Sequence, residues 1–436
     1  MSFRLVLVLP PNRLRPTHYR FRRGYGESAE ALAKAEGGSY KSAPSDNQRM
    51  AAYNRREFLQ SSIATALAGL TARSAAPQSN DPFAGGVMIG TRPLSGRGAA
   101  DTPIGTLLGR GLDARLFTDL STLSPDTLIT SNDRFYVRTS APDRLDPSRA
   151  WTVTLGGLVR RPVTVALDRL TREAAPMGTH LLECAGNNNP GNFGLMSAAE
   201  WSGVPITRVL QRVQPAARRG RILVSGFDGH SLPSRSSTPG ASWIFSTDDL
   251  ERAGAFLATG MNGAPLPADH GFPLRLVVPR WYGCACIKWV TAIDVVADDA
   301  PATSQMKEFA ARTFQNGQPE RARDYTPASI DHAAMPIRVE QWAVNGRILY
   351  RVVGILWGGE QPTDALAIRF RADEPYVRVQ ACPRPTSTTT WSLWWHAWRP
   401  TSRGRYDIVL KIDDPRIRTT RLDVYFYSRS VDVTEV

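Results

Sequence analysis

The run CAGNNNPGNFG, from Cys184 to Gly194, limits what this chain can fold into more than any other stretch. It holds three glycines, four asparagines and a proline in eleven residues. Glycine and asparagine take the left-handed turn conformations, and proline removes a backbone donor, so neither helix nor strand runs through it. The segment before it, GTHLLE, reads as a strand. A strand therefore delivers a cysteine to the lip of a tight polar loop. With 35 Gly and 32 Pro among 436 residues, the chain is too rich in turn formers to be mainly helical, and a largely β or mixed protein is expected.

Short strands recur along the chain. They are RFYVRTS, WTVTLGGLV, RPVTVALDRL, RILVSGFDGHSLP and the region 274–296, which would carry Cys284 and Cys286 on one extended strand. SAAEWSGVPITRVLQRV reads as a loop entering a helix, with Val204, Ile206, Val209 and Leu210 on its apolar side. Residues 77 to about 125 read as irregular chain wrapped on a core, and Ser304 to Asp331 as a polar connector. Beyond it, about 110 residues of alternating segments have the size of an immunoglobulin-like β-sandwich. No repeat of 20 to 50 residues points to a solenoid or propeller.

The net charge of +13 is unevenly placed. Residues 1–76 carry twelve basic and five acidic side chains, leaving a mildly basic remainder. That remainder suits an anionic cofactor or substrate, and no aromatic-interleaved basic stripe supports nucleic-acid binding. Asn54 to Ala76 pairs Arg55 and Arg56 with Phe58 and Leu59, runs uncharged from Ile63 to Leu70, and ends in small residues. This resembles a twin-arginine export signal, and implies a periplasmic or otherwise exported protein that folds, often around a cofactor, before crossing the membrane. Residues 1–49 then read as a disordered leader or a misassigned start upstream of Met50.

Four cysteines include no CxxC pair and no haem or zinc-helix motif. Cys284 and Cys286 on an extended strand would bridge only under strain. Cys184 is expected to be a free thiolate with a function.

Two longer stretches make a resemblance specific. ECAGNNNPGNFGLMSAAEWSGVPITRVL, followed by ATGMNGAPLPADHGFPLRLVVPRWYGCACIKWV, resembles the molybdenum-cofactor domain of the sulfite oxidase family. The similarity runs over roughly residues 127–436. It implies an α+β architecture: a signal at 50–76, a mixed α/β molybdopterin-binding catalytic domain at 77–325, and an immunoglobulin-like dimerisation domain at 326–436. By the same resemblance Cys184 ligates molybdenum beside molybdopterin. A soft thiolate suits a redox-active metal, and a Gly/Asn lip lets a bulky anionic pterin approach.

The resemblance also implies roles for other residues. His270 and Arg275 in HGFPLR, with Lys288 in IKW, hold the phosphate end of the pterin, and Asp228 in GFDGHS bonds its ring. Arg138 faces the active-site pocket, Tyr325 in RARDYTP places a phenol beside the metal, and Trp201 forms a pocket wall. Read without the resemblance, Trp201 is equally a core aromatic, Asp228 a turn residue and Lys288 a surface cation on a strand edge.

Departures concern the substrate. Family members that oxidise sulfite follow CAGN with arginines, whereas Asn188 and Asn189 stand here. The histidine expected shortly after Arg138 is replaced by Thr139 and Ser140, and Ser392 stands where some relatives place an arginine. The metal site reads as kept and the substrate site as altered, since fewer guanidiniums would hold a sulfite dianion less tightly. The implied reaction adds a water-derived oxygen to a small sulfur-containing substrate. No haem or flavin motif is present, which implies an external acceptor such as a c-type cytochrome. A sulfoxide or related oxide reductase, a metal-free envelope binding protein, and less readily a cysteine-nucleophile hydrolase are the alternatives.

Overall fold

The alternating segments pair into four sheets in the computed structural model. It describes residues 81–436 except 97–102, 147, 189–192, 217–219, 235–236, 238 and 425–426. The stretches read as a leader and an export signal, and Asn189, lie outside the described residues. Residues 79–436 form one compact unit.

Two sheets make the first half. In one, β3 (Thr152–Gly157), β4 (Val163–Ala166), β7 (Gly220–Gly226), β8 (Ser242–Phe245) and β12 (Val290–Ala297) run in the order β4-β3-β12-β7-β8. Only the β3–β12 pairing is parallel. The other is antiparallel: β10 (Ala264–Pro265), β9 (Phe256–Met261), β6 (Met196–Pro205) and β5 (Ala175–Glu183), with β11 (Arg275–Val277) also on β9. Asn262 and Gly263, both at positive φ, turn β9 into β10, as an Asn-Gly hairpin requires.

The second half has β13 (Ala333–Val344), β14 (Arg347–Trp357) and β17 (Ser392–Trp398) in one sheet. Its other sheet holds β15 (Leu366–Arg369), β16 (Val377–Arg378), β18 (Gly404–Ile412) and β19 (Arg429–Val433). Asn345-Gly346 closes the β13–β14 hairpin in the same manner. Each sheet gains an edge strand from the start of the described chain: β1 (Val87–Arg92) pairs β13, and β2 (Leu94–Ser95) pairs β19. The segment expected to be irregular is thus partly strand, and it belongs to the sheets of the far half.

Helices are short: α1 (Leu167–Glu173), α2 (Ile206–Leu210), α3 (Thr247–Ala253) and α4 (Ser304–Phe309). Ser246 caps α3 by accepting from Asp249 N at 3.0 Å, and Gly254 ends it at φ 67°. Thr303 caps α4 through Met306 N.

Three local readings change. Trp201 lies in β6, not in a loop entering a helix; only Ile206–Leu210 is helical. β6 runs between β5 and β9 and is buried on both faces, which erases the alternation that marks a half-exposed strand. Cys284 and Cys286 are not on a strand, because Arg280 turns at φ 67° and Gly283–Ala285 forms a 3-10 turn. All four cysteines are free. The expected connector from Ser304 contains α4, whose Met306 and Phe309 are buried.

One hydrophobic core is continuous across both halves. The halves meet at the cysteine loop: Phe193 packs on Trp357 and Tyr427 at centroid distances of 6.0 and 5.1 Å. Leu181 N donates to Thr389 O at 2.7 Å. The loop that begins at Cys184 is therefore clamped at the seam.

Candidate cofactor and active site

A cleft of about 870 Å³, counting its open mouth, opens beside Cys184. Its wall comes from every part of the first half. Tyr136 and Arg138 precede β3, Asp228 follows β7, His270 and Arg275 flank the start of β11, Cys284 and Lys288 lie between β11 and β12, and Glu308 comes from α4. Cys184 is buried, and its Sγ accepts from Gly186 N at 3.3 Å. That backbone donor holds the sulfur in place within the loop.

The basic residues are arranged unlike surface cations. Arg275 is 5% exposed and spends its guanidinium on two carbonyls, His270 O at 3.1 Å and Cys286 O at 3.3 Å, leaving Nε without a partner. Lys288 Nζ donates to Thr139 O and Asp269 O and lies 4.3 Å from the Trp289 ring centroid. Gly271, at φ 107°, allows the two to pack together, since a methyl group there would sit 3.0 Å from Arg275 Cβ and 3.2 Å from Lys288 Cβ. Burial lowers the pKa of both, and Arg275 lowers that of Lys288 further. Neither forms an ion pair with a carboxylate among the described residues. Two adjacent cations, one buried and one half-buried, without an ion-pair partner are stable when an anion sits between them.

His270 contributes in a different form. Burial first, then Lys288 and Arg275, drives its pKa down to about 4 against the opposing bond to Asn132 O at 2.9 Å. The ring is neutral at pH 7 and spends its one N–H on Asn132 O, so it brings a phosphate neither charge nor a donor. Asp228 lines the same cleft; one oxygen accepts from Gly240 N, and the other lies 3.3 Å from His230 Nε2. Arg138 donates to Leu112 O and Ser237 Oγ at 3.0 and 2.7 Å, and its own carbonyl accepts from Arg115.

Six of the eight expected residues, Cys184, Asp228, His270, Arg275, Lys288 and Arg138, thus line one cleft. Trp201 and Tyr325 are not among its lining residues. Trp201 lies behind the wall, buried, donating to His180 O at 3.2 Å and meeting Arg275 at 5.5 Å from its ring centroid. The core-aromatic reading fits this placement. Tyr325 is half-buried after the 3-10 turn Ala322–Asp324, its hydroxyl without a partner. The lining phenol near the thiol is that of Tyr136, whose pKa is raised well above the usual value by burial first and then by Cys184. Of the positions that departed from the family pattern, Asn188 is exposed and Ser392 pairs with Leu356 in β17.

The site can be set beside known proteins. The oxidoreductase molybdopterin-binding domain family matches residues 139–304. Mitochondrial sulfite oxidase of Rattus norvegicus is 28% identical over 200 residues, 43% of this chain and 36% of that one. These matches support a molybdopterin-dependent oxidoreductase similar to the sulfite oxidase family. Another relative is the protein-methionine-sulfoxide reductase catalytic subunit MsrP of Xanthomonas axonopodis pv. citri, 29% identical over 231 residues, 49% of this chain and 65% of that one. The sulfane dehydrogenase SoxCD structure from Paracoccus pantotrophus shares the fold, with a TM-score of 0.54 at 16% identity over 83% of this chain and 96% of its own. The chain spans from 18% to 65% of the length of the curated relatives it matches.

Molybdenum-molybdopterin is the cofactor of this family's domain, and the site residues fit it. A soft sulfur ligand stands at one place in the cleft, and the pair Arg275 and Lys288 offers an anion site elsewhere in it. Cys184 would hold the metal, and Arg275 and Lys288 the phosphate. When bound, the cofactor supplies two-electron oxygen-atom transfer.

Two further residues escaped the sequence reading. Arg115 precedes the first recognisable strand, and Arg312 lies in the segment read as a connector, yet both guanidiniums are electrostatic neighbours of the Cys184 site. The Met306–Phe309 spacing of three was the available sign that this segment packs against a core.

Proposed function

We propose that the chain is an exported molybdenum-cofactor oxidoreductase that transfers an oxygen atom to a sulfur compound, sulfite or a sulfite-like anion, and passes electrons to an external acceptor such as a c-type cytochrome. The proposal includes the immunoglobulin-like identity of the second half, its use in a homodimer, and periplasmic residence. The observation that carries the reading is the pairing, in one cleft, of a thiol held by a backbone donor with two cations, buried Arg275 and half-buried Lys288, that form no ion pair with a carboxylate among the described residues. In this reading Arg275 and Lys288 fix the cofactor, Arg138 braces the wall through Leu112 and Ser237, and Tyr136 keeps its proton and can donate a hydrogen bond at the reacting oxygen.

The test is metal and pterin analysis of protein expressed from Met50, followed by assays in both directions with artificial electron donors and acceptors. About one molybdenum per chain is expected, with turnover abolished and the metal spectrum altered in Cys184→Ser. Full activity of that variant, or a folded protein free of metal under adequate cofactor supply, would defeat the proposal. A second reading, a sulfoxide reductase, is favoured by Asn188 in place of an arginine and by the similarity to the methionine-sulfoxide reductase subunit. Turnover only with sulfoxides and a reductant would select it.

A further inference from the structure

The loop after Cys184 carries Asn188 and Asn189 in place of arginines, but a guanidinium reaches the start of that loop from elsewhere. A methyl group built on Gly186 would lie 2.8 Å from Nη1 of Arg312 and 3.7 Å from Sγ of Cys184. Arg312 thus occupies the bare face of Gly186, immediately beside the thiol. It is exposed, makes no hydrogen bond or ion pair among the described residues, and lies with its guanidinium carbon 5.6 Å from the Phe309 ring centroid. An arginine with no carboxylate partner, facing solvent at a reactive sulfur, is a free anion donor.

The turn that presents Arg312 is rigid. Thr313 Oγ1 donates to Phe309 O at 3.0 Å, and buried Gln315 bonds Thr313 O at 3.2 Å and Thr326 N at 2.8 Å. Phe314 ends the turn in the left-handed region at φ 57° with its side chain 57% exposed. A bulky residue in that conformation is costly, and such strain persists where surrounding bonds hold it. Arg115 stands behind, fixed by the carbonyls of Leu112, Ala114 and Arg138. Burial and Arg138 bring its pKa down to about 10, Cys184 acts to raise it, and Arg312 acts to lower it. Arg115 is thus an electrostatic neighbour of both Cys184 and Arg312.

We infer that Arg312, backed by Arg115, is a specificity-determining residue that binds the oxyanion head of an anionic sulfur substrate at Cys184, taking the place of the arginines absent at 188 and 189. This rests on the reading of Cys184 as the ligand of the reacting metal. It favours a sulfur oxyanion over a neutral sulfoxide, because an anion gains a charge-assisted bond from Arg312 that a neutral ligand does not.

The experiment measures inorganic sulfate binding to the molybdenum-loaded protein by calorimetry at low and high salt, alongside sulfite kinetics, for wild type, Arg312→Gln, Arg312→Lys and Gly186→Ala. Wild type should bind sulfate in a salt-sensitive manner. Arg312→Gln should weaken sulfate and raise the sulfite KM by about tenfold each, with kcat within about twofold, as loss of one charge-assisted bond predicts. Arg312→Lys should recover part of the loss, and Gly186→Ala, which pushes the guanidinium aside, should give an intermediate effect. Unchanged sulfate affinity in Arg312→Gln, or loss of molybdenum without loss of sulfate affinity, would overturn the inference. Sulfate binding that depends on Arg312 in a protein that turns over no sulfur compound would uphold the anion site and defeat the proposed reaction instead.

Discussion

The indole Nε1 of Trp357 donates to Oε2 of Glu183 at 2.8 Å, across the seam between the two halves and one residue before the cysteine. Glu183 is 2% exposed, and burial raises its pKa to about 7 while the bonds from Trp357 and Asn187 act to lower it. The second half thereby holds the backbone that carries the thiol. Trp357→Phe keeps an aromatic ring but strands a buried acid, and should cost about 1–3 kcal/mol in urea unfolding. Glu183→Gln retains an acceptor for the indole and should cost under about 1 kcal/mol. Equal costs in the two variants would show that the bond itself contributes little.

Lys288→Met should separate cofactor binding from folding. The variant loses bonds to Thr139 and Asp269, and it also loses a charge that burial disfavours. Without cofactor, its stability should lie within about 1 kcal/mol of wild type. Its retained pterin, measured after gel filtration, should fall by about tenfold or more, because an ammonium contact to phosphate is missing.

His270 should make stability acid-sensitive. Its folded pKa of about 4 lies below the ordinary value of 6.5. The unfolded chain therefore binds the extra proton first. The contribution of the neutral ring is complete above pH 6.5 and declines as the pH falls toward 4. The stability gap between wild type and His270→Gln should shrink by about 3 kcal/mol over that window. Unfolding series at several pH values would show it, and a constant gap would refute the assignment.

Gly271→Ala tests the packing of the two cations. The new methyl group would meet Arg275 and Lys288 within 3.2 Å at a backbone angle of φ 107°. Destabilisation of about 1–3 kcal/mol is expected from the overpacking, together with reduced cofactor content. A fully loaded variant with wild-type melting would argue that the cations can move apart.

Local chemistry carried much of this protein in its sequence. Asn262-Gly263 and Asn345-Gly346 can turn a hairpin wherever they occur, and the Gly/Asn run after Cys184 can be neither helix nor strand. Cys184, Arg275 and Lys288 were legible because their stretches match a family pattern in order. Burial direction was not legible. Trp201 sits behind the wall because β6 is covered on both faces, and no alternation records which neighbour covers which side. The approach of Arg115 and Arg312 to Cys184 joins parts of the chain far apart in sequence. Charge found at a distance in sequence converges only when sheets pack, so the sequence by itself marked the thiol and the two cations, Arg275 and Lys288, that share its cleft. The tertiary structure alone decided which guanidiniums stand beside the sulfur, because that depends on long-range packing and on which cations lack a carboxylate.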